Sequence, residues 1–149
     1  MPATSVEINI GADSAVIFDL IHDYSCRLEW DPFLCEATLL NGATTAGVGV
    51  VSRCVARNAV GGLAMDTEYV SFLRPSVAAV SMKRGPFFLR KFAAPIRQKQ
   101  IENAVVRVTY RYYFEARPRV LTFIIEPIVD FVIRRETRKR LTALKSYLE

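Results

Sequence analysis

Apolar and polar residues alternate over Thr4–Ile10, with Val6, Ile8 and Ile10 on one side and Ser5, Glu7 and Asn9 on the other. That pattern predicts a half-buried strand. Gly11 ends it, and Asp13 or Ser14 can cap a following helix in which Val16, Ile17, Leu20 and Ile21 share a face. The segment Asp23–Phe33 carries Asp31-Pro32, which disfavours helix continuation, so a short second helix or a turn is expected there. Six further strands are expected: Leu34–Leu40, Val48–Arg57, Leu63–Leu73, Val77–Lys83, Ile96–Ile101 and Ala104–Glu115. Turn signals separate them at Asn41-Gly42, Gly61-Gly62, Arg74-Pro75-Ser76 and Arg84-Gly85-Pro86. The last strand is the clearest, with Val106, Val108, Tyr110, Tyr112 and Phe114 on one face and Arg107, Thr109, Arg111 and Glu115 on the other. A one-residue slip would bury the charges, so its register is well specified.

From Pro118 to about Leu148 the period changes to one near 3.6, carried by Leu121, Ile125, Ile128, Val132, Leu141, Leu144 and Leu148. Pro127 predicts a kink or a helix start near it. The resulting order is strand, two helices, six strands and a long helix. It describes one α+β domain spanning residues 1–149, with a seven-stranded curved antiparallel sheet wrapped around the last helix. A helix is only about 10–12 Å wide with its side chains and cannot fill the hollow of a wide curved sheet. Either large side chains plug the remaining space or a ligand occupies it.

The element order and several segments resemble the START/Bet v 1-like (SRPBCC) superfamily. These are Val6-Glu7-Ile8-Asn9-Ile10, Val16-Ile17-Phe18-Asp19-Leu20-Ile21-His22-Asp23, Glu29-Trp30-Asp31-Pro32-Phe33 and Leu39-Leu40-Asn41-Gly42. Val70-Ser71-Phe72-Leu73-Arg74-Pro75 and the closing Leu144-Lys145-Ser146-Tyr147-Leu148-Glu149 are similar to its polyketide cyclase/dehydrase-like branch. The resemblance implies a helix-grip fold with a cavity for lipids, sterols, polyketides, quinones or similar molecules. It carries over no catalytic residue, because the superfamily has no shared catalytic set.

Composition narrows the field. The chain is 51% hydrophobic and 23% charged, which is globular. No run reaches the roughly 18 apolar residues that would span a bilayer. The N-terminus lacks the pattern of an export signal, so a cytoplasmic location is expected. Cys26, Cys35 and Cys54 do not describe a disulfide framework or a zinc site and read as small buried thiols. No metal or other cofactor is expected. The net charge of +5 permits attraction to anions, but without a recognition motif no nucleic-acid partner is expected.

Candidate chemistry is sparse. His22, the one histidine, has Cys26 at i+4, yet no further ligand cluster supports a metal, and a local hydrogen bond at a helix end is the simpler reading. Tyr110, Tyr112 and Phe114 fit a cavity wall whose phenols orient a carbonyl or hydroxyl, or they are ordinary core. A two-residue loop after strand 96–101 would turn Arg97, Lys99 and Ile101 toward the face of Tyr110; a three-residue loop would turn Gln98 and Gln100 there instead. The second case is favoured, because unpaired buried cations cost several kcal/mol. The expected ligand contacts are therefore Trp30, Tyr69, Gln98, Gln100, Tyr110, Tyr112, Phe114, Ile125, Ile128 and Val132. Arg134, Arg135, Arg138, Lys139 and Arg140 fit a weak contact with an anionic membrane surface, although a solvated helix face explains them more simply.

Binding or transport of a hydrophobic small molecule or lipid is the leading function, since no catalytic constellation is visible. A cyclase or dehydratase in the same cavity is the alternative, with Tyr69, Tyr110, Tyr112, Glu68 and His22 as proton-transfer candidates. A third reading makes the groove or the basic helix a docking site for a protein partner or a membrane surface.

Overall fold

The computed structural model describes residues 3–149. β1 (Ala3–Ile10) leads into α1 (Ser14–Ile21) and the one-turn α2 (Arg27–Trp30). Six strands follow: β2 (Leu34–Leu39), β3 (Val51–Ala56), β4 (Ala64–Leu73), β5 (Val77–Arg84), β6 (Leu89–Glu102) and β7 (Val105–Ala116). The chain closes with α3 (Thr122–Leu148). All neighbours are antiparallel, in the order β1-β7-β6-β5-β4-β3-β2. Short connections make β2 to β7 a meander, and β1 returns beside β7 at the far edge. The curved sheet grips α3, the helix-grip arrangement.

Two strands differ from the sequence pattern for local reasons. β3 begins at Val51 rather than Val48, because Gly49 adopts a left-handed φ of 86° that a strand cannot continue through. β6 begins at Leu89 rather than Ile96 and runs through Pro95, which lies opposite Ala79. The missing proline N–H forfeits one ladder bond but does not stop the strand. Only Asn103 and Ala104 separate β6 from β7, yet Ile96 faces Tyr110, Gln98 faces Val108 and Gln100 faces Val106. A bulge between Gln100 and Glu102 inserts the extra residue, so loop length alone did not set the register.

Helix α3 starts at Thr122 and runs through Pro127, which sits near its beginning. The C-terminal half buries Leu141 and Leu144 against Val6, Ile10, Val106 and Val108, with Ile17 and Ile21 of α1 closing the cluster. Val129 and Ile133 of the first half pack on Leu89, Phe92, Tyr112 and Phe114. From Val132 to Leu141 is nine residues, and at about 100° per residue this is half a turn out of phase. The stripe of Leu121, Ile125, Ile128 and Val132 therefore does not continue into that of Leu141 and Leu144. The helix lies chiefly over β1 and β7, which leaves the wall formed by β3, β4 and β5 standing away from it.

Candidate ligand cavity

A cavity of about 380 Å³ occupies the space between α3 and that wall, within the range of small-molecule pockets. Ala56, Ala64, Ala78 and Ala94 line it. Short side chains stand where bulky ones would have closed the gap, so the hollow that a slender helix leaves is not plugged. On the other side, α3 contributes Ile128, Val132, Glu136 and Arg140, each one turn after the last. Twelve residues at 1.5 Å each give a wall roughly 18 Å long.

One end of that wall is polar. Asp31, at the end of α2, accepts from Arg27 Nε at 2.9 Å and from Arg140 Nε at 3.0 Å on the same oxygen, Oδ2. Its Oδ1 accepts from the Phe33 backbone N–H at 3.0 Å. Arg27 also donates to the Ile21 carbonyl and lies 5.1 Å from the Trp30 ring centroid. Arg140 stacks at 5.0 Å over Phe33 and 5.9 Å over Tyr110. Burial alone would raise the Asp31 carboxyl, but the Arg140 and Arg27 charges outweigh it and hold it below the ordinary carboxylate value. Burial opposes the Arg27 charge too, and the adjacent Asp31 carboxylate overcomes it. Further along, Glu136 is held between Arg57 and Lys139, both at 3.4 Å. Four cations thus share two carboxylates at this end.

Beside them runs a chain of neutral hydrogen bonds. His22 Nδ1 lies 2.8 Å from the Tyr69 hydroxyl, which lies 3.1 Å from that of Tyr24. Tyr24 donates to Ser52 Oγ at 3.2 Å, and Ser52 meets Thr67 Oγ1 at 3.0 Å. Burial, with the Arg27 charge adding to it, pushes His22 down to about 3. Burial, then the neighbouring Tyr24, pushes the Tyr69 phenol up. At neutral pH the imidazole carries no charge and the phenol keeps its proton.

The structure brings Tyr69, Tyr110, Ile128 and Val132 to the cavity wall. The other expected contacts lie elsewhere. Trp30 is core, beside a void of about 20 Å³. Tyr112 and Phe114 are fully buried, and the Tyr112 hydroxyl donates to the Asp130 carbonyl at 3.2 Å. Gln98 shares the strand face of Tyr110 but donates to the Ser14 carbonyl at 2.8 Å, while Gln100 is exposed at the strand end. Ile125 is half-buried and off the wall: it shares the stripe of Ile128 and Val132 but lies nearly a turn before Ile128, the first residue of α3 to line the cavity. Glu68 pairs with Lys83 at 3.6 Å and is likewise off the wall.

Three sequence readings are corrected. The His22 bond is to a tyrosine 47 residues away, not a local one. Cys35 is exposed, and only Cys54 lines the cavity. Arg140 turns inward while Arg134, Arg135 and Arg138 stay exposed, so the basic run divides between interior and surface. The principal polar groups missed were Arg27, Asp31 and Arg140. The i,i+4 spacing of Arg27 and Asp31 was a visible signal; their meeting with Arg140, 109 residues on from Asp31, was not.

A family model described as polyketide cyclase/dehydrase and lipid transport matches residues 1–149. No curated protein sequence matches the chain. Among solved structures it is similar to the Zhui aromatase/cyclase from a Streptomyces species, at 12% identity and TM-score 0.82 over 99% of this chain and 93% of that one. It is also similar to a START superfamily protein from Mycobacterium smegmatis, at 11% identity and TM-score 0.80 over 98% and 96%. A third is Ara h 8.0201, at 10% identity and TM-score 0.78 over 99% and 97%. At these identities the likeness concerns the fold.

Proposed function

Because the chain belongs to the polyketide cyclase/dehydrase and lipid transport family, we propose that it binds or carries a small molecule with an apolar body and an acidic or carbonyl end. The observation that supports this most is the alanine-lined cavity with Arg27, Arg140 and the phenols of Tyr24, Tyr69 and Tyr110 at one end. Two guanidiniums on one carboxylate leave positive charge over in a site shielded from water, where an anionic or strongly dipolar group is favoured. The apolar wall takes the body of the molecule through ordinary burial.

The test is retention of ligand by detergent-free protein in native mass spectrometry, followed by thermal shifts with apolar carboxylic acids and their matched esters. The acids are expected to give the larger shifts. Arg140→Met, which leaves the Arg27–Asp31 pair in place, is expected to lower acid affinity by roughly 10- to 100-fold and ester affinity little. Ala94→Phe, which fills the space, is expected to abolish retention of both. Undiminished retention by the folded Ala94→Phe protein would end this reading.

The contact between His22 and Tyr69 favours a second reading, a cyclase or dehydratase. The Tyr69 phenol can hydrogen-bond a substrate carbonyl as it enolises, and His22, whose basicity burial removes, orients that hydroxyl instead of taking the proton. If the protein turns over a poly-β-ketone chain, Tyr69→Phe should cost about 10²–10⁴-fold in rate with binding intact. Unchanged turnover after substitution of Tyr69, Tyr110, Tyr112, Glu68 and His22 in turn would discard catalysis.

A further inference from the structure

The turn at Arg119–Leu121 and the first half of α3 present a face that nothing in the fold covers. Val120 (77%), Phe123 (74%), Phe131 (65%) and Ile128 (60%) are exposed, with Ile124 among them, and their three- and four-residue spacing puts them on one side. Opposite, Phe87 is 81% exposed in the β5–β6 loop, and its neighbours Pro86 and Phe88 line the cavity together with Ile128 and Val132. Wall residues that are themselves exposed mark a mouth, so the cavity opens between Ile128 and Val132 and the β5–β6 loop, along one edge of this apolar patch. Scattered exposed apolar residues need no explanation, but a contiguous patch of large ones does.

Charge on the same helix is sorted by direction. Glu126 turns back to accept from the Ala116 N–H at 3.2 Å, and Asp130 accepts from the hydroxyls of Thr4 and Tyr112. Glu136 is buried between Arg57 and Lys139. Arg119, before the apolar turns, and Arg135 and Arg138, after them, are exposed, and among the described residues none has a carboxylate within 4.0 Å. The outer face thus reads cationic, apolar, cationic, without an outward carboxylate.

We propose that this face docks on an anionic lipid surface. Phe87, Phe123, Ile128 and Phe131 enter the acyl boundary, Arg119, Arg135 and Arg138 meet headgroup phosphates, and the cavity mouth opens onto the lipid. An anionic bilayer supplies both an apolar phase and the opposite charge to a chain of net charge +5. A second copy would bring another +5 against it. Docking stands apart from the cavity reading, on which only the route of a cargo through the mouth rests.

The test is co-sedimentation of the ligand-free protein with phosphatidylcholine vesicles, with and without phosphatidylserine. Pelleting is expected only with the anionic vesicles and is expected to fall as salt rises. Arg119→Glu/Arg135→Glu/Arg138→Glu should weaken it on the order of a hundredfold, and Phe123→Asp/Phe131→Asp by at least roughly tenfold. Both variants should melt with the parent protein, because every altered side chain is exposed. No pelleting of the parent protein, or pelleting indifferent to both variants, overturns the proposal. So does a dimer in analytical ultracentrifugation that the phenylalanine variant abolishes, which would assign the face to a second copy. Native mass spectrometry of the parent protein separates the two readings: ligand retained by a parent that does not pellet sinks docking alone, and pelleting by a parent that retains no ligand sinks the cavity reading alone.

Discussion

Asp31→Ala is expected to lower the unfolding free energy by about 3–5 kcal/mol, the range for removing one partner of a buried ionic group. The carboxylate is wholly buried and is shared by two guanidiniums, so the substitution leaves both Arg27 and Arg140 without their counter-charge. Asp31→Asn should fall between the parent and the alanine variant, because it keeps the shape and a hydrogen-bond acceptor but not the charge. In a background carrying Arg27→Met and Arg140→Met, removal of Asp31 should cost far less, since no stranded cation remains. The difference is the coupling energy, read from urea denaturation of the four proteins. A loss below about 1 kcal/mol for Asp31→Ala would mean that the two arginines reach water when unpaired.

Lowering the pH from 6.5 to 4.5 is expected to remove about 2–3 kcal/mol of stability through His22. Its folded value of about 3 lies below the ordinary 6.5, so the unfolded chain binds the proton first. The contribution is whole above pH 6.5 and is lost as the pH falls toward 3. The shifted carboxylates, Asp31 among them, are lowered from ordinary values of 3.8 to 4.5 and begin to lose stability only near and below that range. With one histidine in the chain, the upper window belongs to His22. His22→Phe should flatten the slope between pH 6.5 and 4.5, whatever it does to absolute stability. A parent protein whose stability is flat across that window would show that water reaches the imidazole.

The readings of the sequence that rest on neighbours along the chain were recovered with boundary shifts of a few residues, except for β6, which starts seven residues before Ile96. Alternation over Val106–Phe114 set the inward face of β7, and Asp31-Pro32 ended α2. Readings that rest on the facing element fared less well. Trp30 and Tyr112 have the composition of a pocket wall, but the rings are consumed by the core. The apolar positions of α3 looked like one stripe because each half keeps the same period. The half-turn offset between Val132 and Leu141 turns the first half toward the cavity mouth and outer surface, and the second into the core.

What the amino-acid order determined by itself is therefore local: which segments are strands and helices, their sequence in the fold, and a helix too slender for its sheet. Tertiary structure alone decided that alanines rather than bulky side chains face the hollow, that Arg140 turns inward while Arg135 and Arg138 face out, and that Asp31 joins two arginines. These outcomes depend on the rotation and tilt of α3 over β1 and β7. That rotation is set by the sum of contacts with β7, tens of positions away, and with β1 and the short helices, more than a hundred away, and no periodicity within the helix encodes it.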